Sequence, residues 1–529
     1  MMASGSRYVY RKPIYTQTAY RKRLALHMTT MLSDDLLANK ERFFSETPVA
    51  LFHRAAGRYP DKAAICSEKY SMTYRELDQK SDALADYLVN HEQIGRDEVI
   101  AFSVGRGPEA LIAILGIWKA GAAYVALDPL CPAEHTRRCL EVGKVRICIH
   151  DDYLIRVLEN AAKDVPFTDR SKRDHLALII FTSGSTGKPK GVRILHANIS
   201  ASISSYDVLH LRSNDVFASF ASLVFIASVY DIAVSLALGC TLYFVPETIR
   251  RDIHKLAAFY IKHQVTVTFL PPHMACKYIE IDTGSPLHLL LVGSEPVRNL
   301  KKRNYDIINV YASSEACAVI SHYRVKDERA AYPIGEIVPS LRGYIVGDDG
   351  QPVPDGAEGE LWLSGPQIFD GYVGLPELNR TRILQNPFEK ADHRFEKVFK
   401  TSDIVRRRNG VLEYICRKDT MYKIRGFRVE ASCVELCLLQ YPGIKEASAV
   451  CFEDAGGTNI LFGYFIANNL IEHHALRKWL SGQLPYYAVP TGLVQVDHFP
   501  RTLSGKVDRK GFQPPKELND HKLLGELYF

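Results

Sequence analysis

Residues 176–192 read LALIIFTSGSTGKPKGV. The apolar first part of this stretch has the length and branching of a buried β-strand, and it runs directly into a loop of small, hydroxylated and basic residues. Glycines in the loop let backbone N–H groups turn toward an anion, the hydroxyls donate hydrogen bonds, and the lysines supply positive charge. The sequence therefore predicts a polyphosphate-binding loop, whose members are Thr182, Ser183, Gly184, Ser185, Thr186, Gly187 and Lys190.

This loop differs from a Walker phosphate loop. A Walker loop places Ser or Thr directly after its Gly-Lys pair, where the hydroxyl binds magnesium, whereas Pro189 follows Lys188 here. A surface turn rich in Gly, Ser and Lys is the other alternative. Three glycines, four hydroxyls and two lysines within the ten residues 182–191 favour phosphate binding over that alternative.

Size and composition narrow the class of protein. At 529 residues with 47% hydrophobic content, the chain is long enough for more than one domain. A net charge of +6 is small for this length and gives no case for a nucleic-acid partner. Eleven cysteines without a C-x-x-C pair indicate reduced thiols, so we expect a cytoplasmic protein.

Residues 216–246 are the stretch most like a membrane span. They carry a single charge, Asp231, but several serines interrupt them, which favours a buried strand-helix-strand passage. We therefore predict a soluble protein with no membrane partner.

Residues 1–33 contain no acidic residue and six basic ones. A transit peptide, a basic arm, or a start codon placed upstream of the true one at Met28 or Met31 would each explain this composition. We predict that residues 1–45 form a disordered or non-native basic extension.

The chain after the extension alternates between helix and strand patterns. Thr73 and Glu76 form a capping-box signature that opens one helix, and a second helix over residues 108–120 ends at Gly121. An apolar strand follows at residues 122–127. This alternation predicts a layered α/β architecture.

Three segments together resemble a known family. The phosphate loop, MTYREL at residues 72–77 and WKAGAAYVALDP at residues 118–129 resemble motifs of the adenylate-forming superfamily. That superfamily includes nonribosomal peptide synthetase adenylation domains, acyl- and aryl-CoA ligases and beetle luciferases, and the likeness is strongest to a stand-alone adenylation domain. The resemblance implies a large multi-subdomain N-terminal α/β core at residues 46–418, a small mobile C-terminal α+β domain at 419–513, and a tail at 514–529.

The resemblance also implies a nucleotide site. NVYASSE at residues 309–315 is similar to the family's N-x-Y-G-P-T-E, in which the Asn reaches the base, the Tyr packs on adenine and the Glu binds magnesium. FKTSD at residues 399–403 resembles Y-x-T-G-D, whose aspartate binds the ribose hydroxyls. The implied cofactors are ATP and Mg²⁺, with Glu315 as the metal ligand. The nucleotide ligands outside the phosphate loop would be Gly293, Asn309, Tyr311, Ser314, Asp403, Tyr414 and Arg417.

Two further motifs imply catalysis and movement. CRKD at residues 416–419 resembles G-R-x-D, which makes Asp419 the hinge about which the small domain rotates. SGKVDR at residues 504–509 resembles N-G-K-x-D-R, which makes Lys506 the catalytic lysine. Attack of a carboxylate on the α-phosphorus of ATP joins two negative groups, so positive charge and positioning are what the enzyme must supply.

The resemblance places the acyl pocket as well. In amino-acid-activating relatives an aspartate pairs with the substrate ammonium, and Ile226 stands at the matching position. The pocket positions carried over are Ile226, Ala227, Tyr230, Phe269, Leu290, Val292, Val310, Ala318 and Val319, none of them charged. An unpaired ammonium would be costly there, so we expect an uncharged acyl chain such as a fatty, branched 2-keto, 2-hydroxy or aryl acid. Asp231 could substitute for the missing aspartate only if it also faced the pocket.

We therefore predict an enzyme that converts a small carboxylic acid to its acyl-adenylate with release of pyrophosphate. Only 17 residues follow Phe512, so we expect the acyl group to pass to the phosphopantetheine thiol of a separate carrier protein. The alternatives are an acyl-CoA synthetase that uses free CoA, an amino-acid-activating domain with an unusual pocket, and a catalytically silent scaffold protein. Lys190, Glu315, Asp403 and Lys506 together argue against the scaffold.

Overall fold

The computed structural model describes residues 40–68, 70–161, 167–182, 189–282, 284–424, 426–454, 458–501 and 507–515. The chain forms two compact units, Met1–Arg42 and Phe43–Phe529, and the second holds the helices and strands given below. The sequence places Phe43 in a disordered extension, but Phe43 is 1% exposed and its ring centroid lies 5.4 Å from that of Tyr206. The folded part therefore begins at least three residues before position 46.

The helices of the described residues are α1 Pro48–Arg58, α2 Tyr74–Asn90, α3 Pro108–Lys119, α4 Ala133–Gly143, α5 Asp151–Asn160, α6 His196–Ile203, α7 Ile226–Leu238, α8 Ile253–Lys262, α9 Pro272–Ile281, α10 Pro376–Arg382, α11 Ala431–Leu439 and α12 His473–Gln483.

The strands of the described residues are β1 Ala63–Cys66, β2 Ser71–Thr73, β3 Val99–Ser103, β4 Ala123–Ala126, β5 Ile147–His150, β6 Leu176–Thr182, β7 Lys190–Leu195, β8 Val216–Ser219, β9 Thr241–Phe244, β10 Val267–Leu270, β11 Leu289–Gly293, β12 Asp306–Ser313, β13 Ala318–Arg324, β14 Glu336–Ile337, β15 Arg342–Val346, β16 Glu358–Ser364, β17 Gly371–Tyr372, β18 Ile383–Gln385, β19 Lys397–Arg408, β20 Val411–Arg417, β21 Met421–Ile424, β22 Phe427–Glu430, β23 Ile444–Glu453, β24 Asn459–Ala467 and β25 Gly492–Gln495.

Local signals in the sequence explain several of these boundaries. Thr73 and Glu76 form the capping box at the start of α2, as predicted. Helix α3 ends just before Gly121, which adopts a left-handed φ of +82°. Residues 216–246 form the predicted β8-α7-β9 passage, and none of the described helices is long and apolar enough to cross a bilayer.

Two large sheets make up the core. One has the strand order β14-β13-β12-β11-β10-β8-β9-β1-β2, with parallel pairing from β12 through β1, and the other has the order β17-β7-β6-β4-β3-β5. A third sheet, β15-β16-β19-β18 with β20 beside β19, completes this part of the chain. The parallel strands β10, β11 and β12 end at one edge, which is where ligands bind in open α/β sheets.

The C-terminal part is smaller. A hairpin of β21 and β22 precedes a three-stranded sheet, β23-β24-β25, packed with α11 and α12. It has its own apolar cluster, which includes Val434, Leu461, Phe465 and Leu480. The predicted fold class is confirmed: the structure is α/β, with a large N-terminal core and a small C-terminal domain.

Candidate active site

A cavity of about 340 Å³ lies where the carboxyl ends of the core strands meet the start of α7 and the hairpin β21–β22. Most of the described residues that the sequence predicts for the site line this cavity. They are Thr182, Lys190, Ile226, Ala227, Tyr230, Phe269, Val310, Ser314, Glu315, Ala318, Val319, Asp403, Arg417 and Asp419.

Two predicted segments lie outside the described residues. The phosphate-loop members Ser183, Gly184, Ser185, Thr186 and Gly187 belong to one of them, and Lys506 belongs to the other. The ends of the loop are described: Thr182 and Lys190 pair across β6 and β7, and both line the cavity.

Leu290 and Val292 do not line the cavity, contrary to the sequence-based expectation. Both are fully buried in the cluster that packs β11 against α8 and α9, whereas Leu291 lines the cavity. The strand register explains the difference, because Phe269 pairs with Leu291, and Gly293 pairs with Val310. Side chains alternate between the faces of a strand, so Leu290 and Val292 point away from the cavity side.

Four predicted nucleotide ligands are also absent from the cavity lining, namely Gly293, Asn309, Tyr311 and Tyr414. Asn309 instead donates a 2.7 Å hydrogen bond to the Pro333 carbonyl. A Cβ atom at Gly293 would come within 2.1 Å of the Val310 carbonyl oxygen, so glycine is required there by close backbone approach. Asn309 and Gly293 thus have structural explanations that need no nucleotide.

Asp403 and Asp419 are joined through one arginine. Arg417 Nη1 lies 2.7 Å from Asp403 Oδ1, and its Nε and Nη2 each lie 2.7 Å from an oxygen of Asp419. The Tyr311 hydroxyl donates to the other oxygen of Asp403. Burial alone would raise the pKa of Asp419, but the hydrogen bonds and charge of Arg417 outweigh it and lower that pKa.

Glu315, the predicted metal ligand, is 1% exposed and already paired. Its Oε1 accepts a 2.6 Å hydrogen bond from Arg428 and a 2.9 Å hydrogen bond from the Tyr372 hydroxyl. Burial alone would raise the pKa of Glu315, but Arg428 and Lys190 outweigh it and hold that pKa at about 2. An ionised carboxylate suits Mg²⁺, so Glu315 would fit the predicted metal only without its ion pair to Arg428.

The hairpin β21–β22 contributes residues to which the sequence analysis assigned no role. Lys423 Nζ lies 5.5 Å from the centroid of the Tyr311 ring, on which adenine is expected to pack. Glu430 lies 3.7 Å from Lys190 Nζ. The segment KIRGFRVE at residues 423–430 follows shortly after the CRKD motif at residues 416–419, which is the signal that could have identified Lys423 and Glu430.

Aromatic side chains of the N-terminal core and of the small C-terminal domain pack together at the N-terminus of α7. The Phe225 and Phe427 ring centroids are 4.8 Å apart, and Phe427 stacks on Tyr487 at 4.4 Å. All three rings line the cavity. The small domain therefore forms part of the cavity wall.

Asp231 also lines the cavity and is 4% exposed. Burial raises the pKa of Asp231 to about 7, and the nearby Ser219 and Arg106 only partly offset that effect. Ala227 and Asp231 are one turn apart, so the cavity contacts more of the α7 surface than the predicted positions Ile226, Ala227 and Tyr230.

A second cluster, His53, Asp78 and Asp82, has the composition of a metal site. Lys119 is fully buried there, with its Nζ 2.6 Å from a carboxylate oxygen of each aspartate. The ammonium group supplies the positive charge that these carboxylates need, so the cluster is an internal ion-pair network.

The chain matches two family models: AMP-binding enzyme at residues 52–373 and AMP-binding enzyme C-terminal domain at residues 433–506. Bacitracin synthase 1 of Bacillus licheniformis is 31% identical over 518 residues, which are 93% of this chain and 10% of that protein. Malpinin synthetase of Mortierella alpina is 32% identical over 514 residues, 88% of this chain and 6% of that protein. The chain thus spans a tenth or less of these relatives.

Solved structures share the fold. A holo protein, PA1221, which contains nonribosomal peptide synthetase adenylation and PCP domains, superposes with a TM-score of 0.79 at 23% identity, over 93% of this chain and 88% of that chain. The adenylation domain AlmE of Vibrio cholerae, in complex with glycyl-adenosine-5'-phosphate, superposes with a TM-score of 0.75 at 22% identity. The match covers 88% of this chain and 96% of that chain.

Proposed function

The chain belongs to the AMP-binding enzyme family and is an AMP-forming ligase that activates carboxylic acids, and from this premise we propose its acid and its acyl acceptor. We propose an acid for which the enzyme binds no ammonium group at the α-carbon. The acceptor is the phosphopantetheine thiol of a carrier protein that acts in trans.

The reaction that these residues would support starts with ATP. An oxygen of the substrate carboxylate attacks the α-phosphorus, the bond to the β-phosphate oxygen breaks, and pyrophosphate leaves. Lys190 and Lys506 would offset the negative charge that accumulates as the two anions meet, and Asp403 would accept hydrogen bonds from the ribose. Magnesium held by Glu315 would neutralise phosphate oxygens.

The observation that carries the substrate proposal is Ile226 in the cavity wall at the first turn of α7. An ammonium placed beside Ile226 would lose its hydration and gain no anionic partner there. The neighbouring wall is apolar and includes Phe269, Leu291 and Val310. An acid without an α-ammonium avoids this cost and still buries its chain.

The substrate proposal is tested by acid-dependent exchange of labelled pyrophosphate into ATP. Leucine and phenylalanine should be weaker substrates than their deaminated analogues, 4-methylpentanoate and 3-phenylpropanoate. The matched variant Ile226→Asp should shift the preference toward the two amino acids. Wild-type enzyme that prefers leucine and phenylalanine would reject the proposal.

The proposed acceptor is supported by the relatives, which are peptide synthetases, and by the solved adenylation-PCP structures. The test compares transfer of the labelled acyl group to phosphopantetheinylated carrier proteins, to the same carriers without phosphopantetheine, and to free CoA. Faster product formation with CoA than with every carrier would favour an acyl-CoA synthetase instead.

A further inference from the structure

The carboxylate of Asp231 lies in the cavity wall, on the same helix as Ile226. Asp231 is 4% exposed, and its Oδ2 has no hydrogen-bond partner among the described residues. Folded proteins contain few buried polar atoms without partners, because such atoms lose their hydration and gain nothing in exchange. A buried carboxylate oxygen that borders the substrate cavity is therefore expected to gain its hydrogen-bond partner from the substrate.

Among the described residues, the groups around Asp231 supply no cationic partner for it. Ser219 is close enough to favour the charged form slightly, yet neither its hydroxyl nor Asp231 Oδ2 makes a hydrogen bond of normal geometry. The Arg106 guanidinium donates to the carbonyls of Ser219 and Ala221 and forms no ion pair with Asp231 within the described chain. The charge of Asp231 is thus left without a direct counter-ion.

The direction of the side chains on α7 makes the Asp231 carboxylate accessible from the cavity. Side chains on a helix lean toward its N-terminus, so the Asp231 carboxylate extends over the preceding turn, where Ala227 lies. Ala227 also lines the cavity and has the shortest side chain that a Cβ allows. A larger residue at position 227 would cover the carboxylate.

The position along α7 sets how deep the carboxylate lies. Asp231 comes five residues after Ile226, a rise of about 7.5 Å along the helix axis. The N-terminal end of α7 faces the small domain, since the Phe225 ring contacts Phe427 and Tyr487 there. A substrate group that reaches Asp231 therefore lies deeper than one beside Ile226, where relatives bind an α-ammonium.

We propose that Asp231 is a specificity residue that binds a protonated amino group carried by the acid substrate beyond its α-carbon, at the β-position or farther. This inference rests on the proposed function and names the substrate class: non-α amino acids. An amine fits better than a hydroxyl because it brings the positive charge that the buried carboxylate lacks, and charged hydrogen bonds are the stronger ones.

The test uses pyrophosphate exchange with matched sets of acids on aliphatic and aryl skeletons. Each set contains the unsubstituted acid, its α-amino form, forms with the amine at the β- to ε-positions, and a remote hydroxyl form. Wild-type enzyme should give the highest kcat/KM with a remote amino acid. Asp231→Asn should lower the ratio of kcat/KM for that acid to kcat/KM for the unsubstituted acid about 10- to 100-fold.

Ala227→Val is the matched second variant, because it covers the carboxylate but leaves its charge in place. It should reduce the preference for the remote amine as Asp231→Asn does, and circular dichroism of both variants checks that they fold. Equal losses for all acids in Asp231→Asn would mean a structural role and would overturn the inference. A hydroxyl form preferred over the amine would overturn it too.

The same assay separates this inference from the function on which it rests. If wild-type enzyme exchanges pyrophosphate with unsubstituted acids but prefers no amine, the proposed function stands and the role of Asp231 is rejected. No exchange with any acid in wild-type enzyme rejects both.

Discussion

Single residues of the cavity determine its charge balance. Glu315 is held ionised by Arg428 and Lys190, whereas Asp231, without such partners, has a pKa raised to about 7 by burial. Two carboxylates of the same cavity thus differ widely in pKa, because Arg428 and Lys190 outweigh burial at Glu315 whereas Ser219 and Arg106 only partly offset it at Asp231.

The raised pKa of Asp231 predicts how stability changes with pH. The folded state binds a proton more tightly than the unfolded state, in which the pKa is near 3.8, so stability should fall as pH rises from about 4 to 7 and level off above that. Among the described residues, the titratable groups that interact with this carboxylate include Arg106, Tyr230 and Tyr260. The full effect is at most about 4 kcal/mol, at about 1.4 kcal/mol per pKa unit.

Asp231→Asn removes this titration. The difference between the unfolding midpoints of the variant and the wild type should grow in favour of the variant between pH 5 and pH 8. A constant difference across that range would contradict the raised pKa.

Lys506 carries the strongest prediction for catalysis. Lys506→Ala should lower the rate of adenylate formation by about 10²–10³ or more, because in the proposed role Lys506 supplies positive charge to the reacting carboxylate and α-phosphate. ATP binding, measured by equilibrium dialysis, should persist. Lys510→Ala, a change of a nearby exposed lysine, is the control and should keep full activity. A fully active Lys506→Ala enzyme would rule out this role.

Among the elements, the hairpin β21–β22 contacts two residues of the predicted nucleotide site. Its Arg428 donates a hydrogen bond to the Glu315 carboxylate, and its Lys423 ammonium lies over the ring of Tyr311. Both are positions that the family resemblance assigns to the metal and to adenine. If these roles hold, we expect ATP and Mg²⁺ to compete with the hairpin for these two residues.

This competition predicts the behaviour of Arg428→Gln. Without the Arg428 charge, Mg²⁺ no longer has to displace an ion pair from Glu315, so the Mg²⁺ concentration at half-maximal binding of a fluorescent ATP analogue should fall about tenfold. Arg406→Gln, whose ion pairs with Glu358 and Glu413 lie outside the cavity, should leave that concentration unchanged. An unchanged or higher Mg²⁺ requirement in Arg428→Gln would contradict the competition.

At the scale of the whole molecule, the small domain packs on the core through polar contacts around the cavity as well as through the rings of Phe225, Phe427 and Tyr487. Besides Arg428 and Glu315, the Gly426 amide donates to Glu295, and Arg298 pairs with Glu453 at 2.6 Å. Polar and partly exposed contacts of this kind separate more easily than a large apolar interface. We expect the small domain to rotate at Asp419, which would exchange the hairpin for Lys506 between the two half-reactions.

Residues 43–529 form a compact unit by themselves, which predicts the result of truncation. Deletion of residues 2–42 should leave the unfolding midpoint and pyrophosphate exchange unchanged. Deletion of residues 2–46 also removes the buried Phe43 ring and should destabilise the protein by about 3 kcal/mol, as should Phe43→Ala in the full chain. Equal midpoints for the two deletions would contradict a folded start at Phe43.

The sequence by itself determined the family, the α/β class and the chain positions of most cavity residues. These properties could be predicted because they depend on short local patterns: an apolar strand followed by a glycine-rich loop, and short motifs in a fixed order. Thr182, Lys190, Ile226, Glu315 and Asp403 all line the cavity where such motifs placed them.

Only the tertiary structure decided which side chains face the cavity and which charges meet there. Leu291 replaces Leu290 and Val292 because the register between β10, β11 and β12 sets the direction of alternate side chains, and residues distant in the chain fix that register. Arg428 reaches Glu315 across 113 residues of sequence. The raised pKa of Asp231 likewise comes from burial by several elements at once, which no local pattern encodes.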